Sequence, residues 1–204
     1  MLTGIGDDSV DWTDGWQGRI QYVIVDQSDD AGDRGIEGDN RSSNETLTPT
    51  SDPIIANLTF VGGAAGDTGA VLRAGTRAAL YNGIITAFQD AGVDLDGTQT
   101  PAEANAGNVT FDSMLVVGNT ANLESDGDAG DAALTAAFAA GTNNVTDGTT
   151  AIADEQYVPG ATANGVEAFD VGTVDAFFDS VDYIGAVEDA DDDWYQGWTL
   201  LVDQ

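Results

Sequence analysis

Three carboxylate clusters are the groups in this sequence best able to do chemistry. Asp7, Asp8, Asp11 and Asp14 form the first; Asp29, Asp30, Asp33, Glu37 and Asp39 the second; Glu188, Asp189, Asp191, Asp192 and Asp193 the third. Calcium takes about six to eight oxygen ligands from carboxylates, carbonyls and water, so Asp-rich turns are candidate Ca2+ ligands and calcium is the cofactor they imply. The first two clusters are the better candidates, although their spacing matches neither the EF-hand loop nor the glycine-rich calcium nonapeptide. The competing account is a solvated acidic face in a salt-adapted protein.

Arg34 and Arg73 recur amid these acids. In a polysaccharide lyase, calcium on carboxylates holds an acidic sugar while an arginine takes a proton. The alternative is pairing with stacked neighbours such as Asp33, Glu37 or Asp67, and it is favoured, because an arginine with a pKa above about 12 is a poor base. All four tryptophans lie in one motif used twice, DWTDGW (Trp12, Trp16) and DWYQGW (Trp194, Trp198). Two aromatic residues flanking a glycine either staple a loop or offer a stacking platform to a sugar; packing is the favoured role. With no histidine and no cysteine, the usual general base, thiolate chemistry and disulfides are all excluded. No catalytic residue can be singled out, because a glycosidase pair cannot be chosen from 36 acids by sequence alone.

The elements that must position these groups repeat. Short segments at 9–12 (SVDW), 35–38 (GIEG), 70–73 (AVLR) and 93–96 (VDLD) each follow a Gly/Asp turn, and each is answered by a longer apolar run at Ile20, Ile55, Ala78 and Asn108. Polar inserts at 41–52 and 97–107 read as loops. Units of about two dozen residues with insertions confined to one place predict stacked parallel coils that share one apolar column. Residues 76–90 fit a strand better than a helix, since Gly83 and the pair Ile84-Ile85 weaken the helical reading. Residues 131–141 (DAALTAAFAAG) predict a helix with Asp131 as cap and Gly141 as stop. The pattern breaks down after Gly118, and strand-like alternation returns at 175–187.

Composition bounds the partners. The chain has 204 residues with 36 acids, five basic residues and a formal net charge of -31, which argues against nucleic acid and anionic membranes. It favours a saline or calcium-containing setting, marine or halophilic. No apolar run is long enough to suggest a transmembrane segment, and no signal sequence opens the chain. The opening residues read like the interior of a domain, so the expectation is a portion of something longer.

The motif set GDDSVDW, GWQGRIQYVIVDQ, GDRGIEGDN, IANLTFVG and VLRAGTRAALYNGIITAF resembles the C-terminal coils of a family of secreted or lipid-anchored marine-bacterial proteins predicted to be right-handed parallel β-helices. The resemblance covers residues 4–118, and the closing VDYIGAV and DDDWYQGWT resemble that family's C-terminal end. Where the family usually reads Ala-Asp-Asn, this chain has Gly38-Asp39-Asn40. The resemblance implies a fold and an extracytoplasmic location, and carries no activity.

The expectation is therefore an all-β, right-handed parallel β-helix (β-solenoid) of about four coils with a short helix and an irregular C-terminal cap. Coils occupy 1–118, a helix and loop cap 119–170, and a closing strand and Trp turn 171–204. The expected role is a non-catalytic surface, adhesive or matrix protein, calcium-stabilised and self-associating through its coil ends. The alternative is a carbohydrate-binding or polysaccharide-lyase-like protein acting on a polysaccharide in an acidic groove.

Overall fold

In the computed structural model, which describes residues 1–125, 127–153 and 157–197, the regular elements are strands with two α-helices and two short 3-10 turns. The strands are β1 (Leu2–Thr3), β2 (Val10–Trp12), β3 (Arg19–Asp26), β4 (Arg34–Asp39), β5 (Ile54–Val61), β6 (Thr68–Arg73), β7 (Ala78–Thr86), β8 (Ala91–Leu95), β9 (Val109–Val116) and β10 (Ala121–Ser125). They form two five-stranded sheets, β1-β3-β5-β7-β9 and β10-β8-β6-β4-β2, and the named strands pair in parallel throughout. The chain thus alternates between a long-strand sheet and a short-strand sheet, moving one place along both with every pass. All four expected short segments and all four long runs are strands, Ala78–Thr86 among them.

Between the sheets lies one apolar column. It stacks Val10, Ile36, Ala70, Val93 and Leu123 from the short strands against Ile20, Ile55, Leu80 and Phe111 from the long ones. Each long strand carries one left-handed residue at an equivalent place: Tyr22 (φ 60), Asn57 (φ 51), Asn82 (φ 53) and Ser113 (φ 55). They fall between the register rows Gln21-Ala56-Tyr81-Asp112 and Val23-Leu58-Gly83-Met114. A left-handed residue shifts the period-two alternation by one, so Ile55 and Leu58 both face the column although three positions apart. Gly83 follows directly from this. A Cβ there would stand 2.5 Å from Met114 Cε, so the glycine that argues against a helix is a packing requirement of the sheet.

Helix α1 (Gln99–Asn105) lies in the insert read as a loop. Its signal was present: Thr98 at the N-cap and Pro101 in the first turn, where a missing N–H costs nothing. Helix α2 (Asp128–Ala140) confirms Gly141 as the stop, but the N-cap is Gly127 (φ 93) and not Asp131. Within its first turn, Gly130 lies so close to Ser125 of β10 that a side chain there would collide with its hydroxyl. Ala133, Leu134, Ala137 and Phe138 close one end of the column, with the rings of Phe138 and Phe111 4.5 Å apart.

Residues 175–187 contain no strand, which corrects the expected alternation. They do lie against the long-strand sheet, held by the left-handed column. Asn57 Nδ2 donates to the carbonyls of Tyr183 and Gly185 (both 3.2 Å), Asn82 exchanges two hydrogen bonds with the Phe169 backbone (2.8 and 2.9 Å), and Ser113 Oγ donates to Glu167 O (2.7 Å). The outward Ile24, Ile84 and Leu115 are fully buried under this segment, against Ala186 and Val187 in one cluster and Val166 and Ile184 in another. Side chain and backbone of the sheet satisfy the covering chain's polar groups, so it needs no ladder of its own.

Candidate functional site

The Gly/Asp turns stack as a corner ladder beside the short-strand sheet. The Asp33 N–H donates to Asp7 O (3.3 Å), Asp67 N–H to Asp33 O (2.8 Å), Asp90 N–H to Asp67 O (2.9 Å), and Ala121 N–H to Asp90 O (2.8 Å). Identical backbone roles in successive passes bring four aspartates into one row. Asp67 and Asp90 belong to it, although the sequence marked Asp67 only as an arginine partner and did not mark Asp90; their signals were the repeated turns GDTG and DAG. At the first end of the row, carboxylate oxygens of Asp7, Asp8 and Asp33 lie within 4.8 Å of one another. Asp8 Oδ1 also accepts the Arg34 backbone N–H at 3.1 Å.

Next to the ladder, Asp11, Glu37, Val71, Asp94 and Glu124 occupy one register row along the short strands. Glu37 Oε1 is the hub of two arginines, 2.8 Å from Arg34 Nη1 and 2.7 Å from Arg73 Nη2. Arg34 also reaches Asp33 at 2.9 Å, and Arg73 reaches Asp39 at 2.7 Å across the strands. Arg19 pairs with Asp175, Arg41 with Asp14 and Arg77 with Glu103, so all five basic residues of the chain are in ion pairs. The pairing expected for Arg34 and Arg73 forms with Asp33 and Glu37; Asp39 joins it, while Asp67, also expected, is in no ion pair with either arginine.

Of the nine candidate metal ligands, only Asp7, Asp8 and Asp33 converge as a possible ion-holding group among the described residues. Asp33 and Asp8 of this group also face Arg34, at 2.9 and 3.7 Å; Asp11 stands opposite Glu37 in register, and Glu37 and Asp39 serve arginines. Asp14 faces Arg41 in an exposed pair (side chains 53% and 42% exposed), worth little in water. Asp29 accepts the Ala64 N–H of the next pass at 2.8 Å, and Asp30 accepts the Ser28 hydroxyl within its own turn at 3.0 Å.

The tryptophans separate. Trp12 is 4% exposed and its indole N–H donates to Thr76 Oγ1 at 3.0 Å, so it packs inside the column. Trp16 is 37% exposed, its ring 6.0 Å from that of Trp12. Trp194 is half-buried and donates to Ala186 O at 2.9 Å. Trp198 lies outside the described residues.

Burial pushes the Asp8, Glu37 and Asp67 carboxyls above the ordinary range. Neighbouring acids add to the effect, and in Glu37 burial with Asp8 outweighs both arginines. A carboxyl with a raised folded pKa holds its proton more tightly in the folded state, so stability falls as pH rises through a window opening at 3.8 for the aspartates and 4.5 for Glu37. Glu103 acts in the opposite sense. Although burial opposes it, hydrogen bonds from Asn108, Arg77 and Gln99 hold its pKa below 4.5, so its contribution is lost on further acidification. In low salt without divalent cations, the raised carboxyls should lift the melting midpoint as pH falls from neutrality toward the ordinary carboxylate range, and loss of the Glu103 contribution should lower it below that range. A midpoint climbing steadily from pH 5 to 8 would contradict this.

A family model described as pectate-lyase like beta helix domain matches residues 1–199. No curated protein and no solved structure matches the chain.

Proposed function

The chain belongs to the pectate-lyase-like beta helix domain family, and on that premise we propose a right-handed parallel β-helix serving as a non-catalytic, extracytoplasmic structural or adhesive module whose acidic corner takes up calcium. The observation that carries the non-catalytic reading is the engagement of every arginine. Arg34 and Arg73, the cations best placed on the acidic face, are held by Glu37, Asp33 and Asp39, which is the arrangement of internal counter-ions. Right-handedness follows the general preference of crossovers between parallel strands. The extracytoplasmic location agrees with the acidity; no helix among the described residues is long and apolar enough to cross a membrane.

Calcium is supported by Asp7, Asp8 and Asp33, whose mutual repulsion a divalent cation would relieve. Thermal melts followed by circular dichroism, in chelator, in calcium and in sodium chloride at matched ionic strength, test it. A ligand bound only by the folded state stabilises it by mass action, so calcium should raise the midpoint beyond matched salt. Asp33→Asn should remove that excess and keep the ordinary salt response. Equal effects of calcium and matched salt would reduce the corner to a solvated acidic face.

A second reading, a polysaccharide lyase, is favoured by the family description and by two arginines beside Glu37 and Asp39 on one sheet face. Incubation with polygalacturonate and alginate in calcium, monitored for the ultraviolet absorbance of unsaturated uronates, separates the two. The structural reading expects none; sustained product formation, lost in Arg73→Lys, would establish the lyase.

A further inference from the structure

On the outer side of the long-strand sheet, away from the acidic corner, Tyr22, Tyr183, Asp192 and Trp194 line a cavity of about 380 Å³. That is within the range of about 300–1,000 Å³ usual for small-molecule pockets. We propose that this cavity is a binding site for a quaternary ammonium group, with the three aromatic rings as its walls and Asp192 as its counter-charge.

Each wall is fixed by the fold. Tyr22 is the first member of the left-handed column, which turns it out of β3 beneath the covering segment. The Trp194 indole is anchored through its N–H to Ala186 O at 2.9 Å and braced edge-on against Tyr195, with centroids 5.9 Å apart at 87°. Asp192 Oδ2 accepts the Glu188 N–H at 2.9 Å, which orients the carboxylate.

Hydrogen-bond chemistry selects the ligand class. The indole N–H is committed to a backbone carbonyl, and the Tyr22 hydroxyl donates to Asp179 Oδ2 at 3.3 Å. Tyr183 is pushed well above the ordinary tyrosine range by burial and then by Tyr22, Asp192 and Glu188, so its ring stays neutral. The donors a sugar needs for its hydroxyls are therefore largely spent, whereas aromatic rings and negative charge are what the cavity presents. A cation without N–H groups asks for those two things alone. An anion would meet Asp192, Asp179 and Glu188 within a chain of net charge -31.

Isothermal titration with choline and tetramethylammonium tests the proposal, with 3,3-dimethyl-1-butanol as the neutral isostere of choline, sodium chloride at equal concentration, and a neutral oligosaccharide as controls. One saturable site is expected for both cations, with the neutral isostere bound about tenfold more weakly or not at all. Asp192→Asn should weaken choline several-fold. Tyr183→Phe, which keeps the ring and is the variant least able to disturb folding, should leave binding nearly unchanged, and Tyr183→Ala should abolish it with the dichroism spectrum retained. Equal binding of choline and its isostere would make the cavity merely apolar. A signal reproduced by sodium chloride would make it screening, and saturable oligosaccharide binding without choline binding would make it a sugar site; each overturns the proposal.

Discussion

Replacing Trp12 with alanine should lower the unfolding free energy by about 3–5 kcal/mol, the range for deleting a large buried aromatic side chain. Trp12 enters from β2 at the end of the column opposite α2, and its ring reaches across successive passes of the chain. It lies over Gly38, near Leu72, and its N–H reaches Thr76, 64 residues away in sequence. Alanine would open a cavity beside Leu72 and remove the only indole donor directed at Thr76. Thr76 Oγ1 keeps its own bond to Arg77 O at 2.9 Å, so Trp12→Phe should cost markedly less, about 1–2 kcal/mol. Urea unfolding of the three proteins measures both. A Trp12→Ala loss below about 1 kcal/mol would mean that the end of the column relaxes around the void. The same contact makes glycine fit at 38: a Cβ there would stand 2.3 Å from Trp12 Cζ2.

The second large effect is expected at Asn57. It is fully buried, left-handed at φ 51, and makes three hydrogen bonds: it donates to Tyr183 O and Gly185 O and accepts from Gln21 Nε2 at 3.0 Å. Asn57→Ala strands two buried carbonyls of the covering segment and forces a Cβ-bearing residue without a local hydrogen bond into the left-handed region. The sum is about 3 kcal/mol. Asn57→Gly loses the same hydrogen bonds with no penalty for the left-handed backbone, so it should be less destabilising by about 1 kcal/mol. Hydrogen exchange at 183–187 should accelerate in both variants, because the carbonyls that tie this stretch to β5 lose their donor. Unchanged exchange there would show that Thr59, whose hydroxyl accepts the Ala186 N–H at 2.9 Å, and the Asn82 carbonyl, which accepts the Gly185 N–H at 2.9 Å, suffice to hold it.

The acidic corner was half legible. Asp7, Asp8 and Asp33 were recognisable because they precede the short strands in repeated turns, and the turn determines which residues occupy the corner. Asp29 and Asp30 share the same composition but lie earlier in their turn, where Asp29 accepts the Ala64 N–H of the next pass and Asp30 the Ser28 hydroxyl. Composition cannot separate these cases, since a difference of a few residues along a turn decides whether a carboxylate converges with others or accepts a single hydrogen bond. Arg34 and Arg73 were legible as charge partners because opposite charges on adjacent strands pair. Their common hub, Glu37, required the register of β4 on β6.

By itself the sequence determined the period of the repeat, the strand character of its segments, the stop of α2 at Gly141 and the absence of thiol and imidazole chemistry. These follow from side-chain type and backbone preference within a few residues. Tertiary structure alone decided the fate of Ile24, Ile84 and Leu115, which face outward and are nevertheless fully buried. It decided too that Tyr22 and Trp194, 172 positions apart by number, share one cavity. The reason is that the covering segment, despite its strand-like alternation, forms no strand over 175–187. What holds it is a column of left-handed residues whose alignment exists only after the long strands have stacked in register.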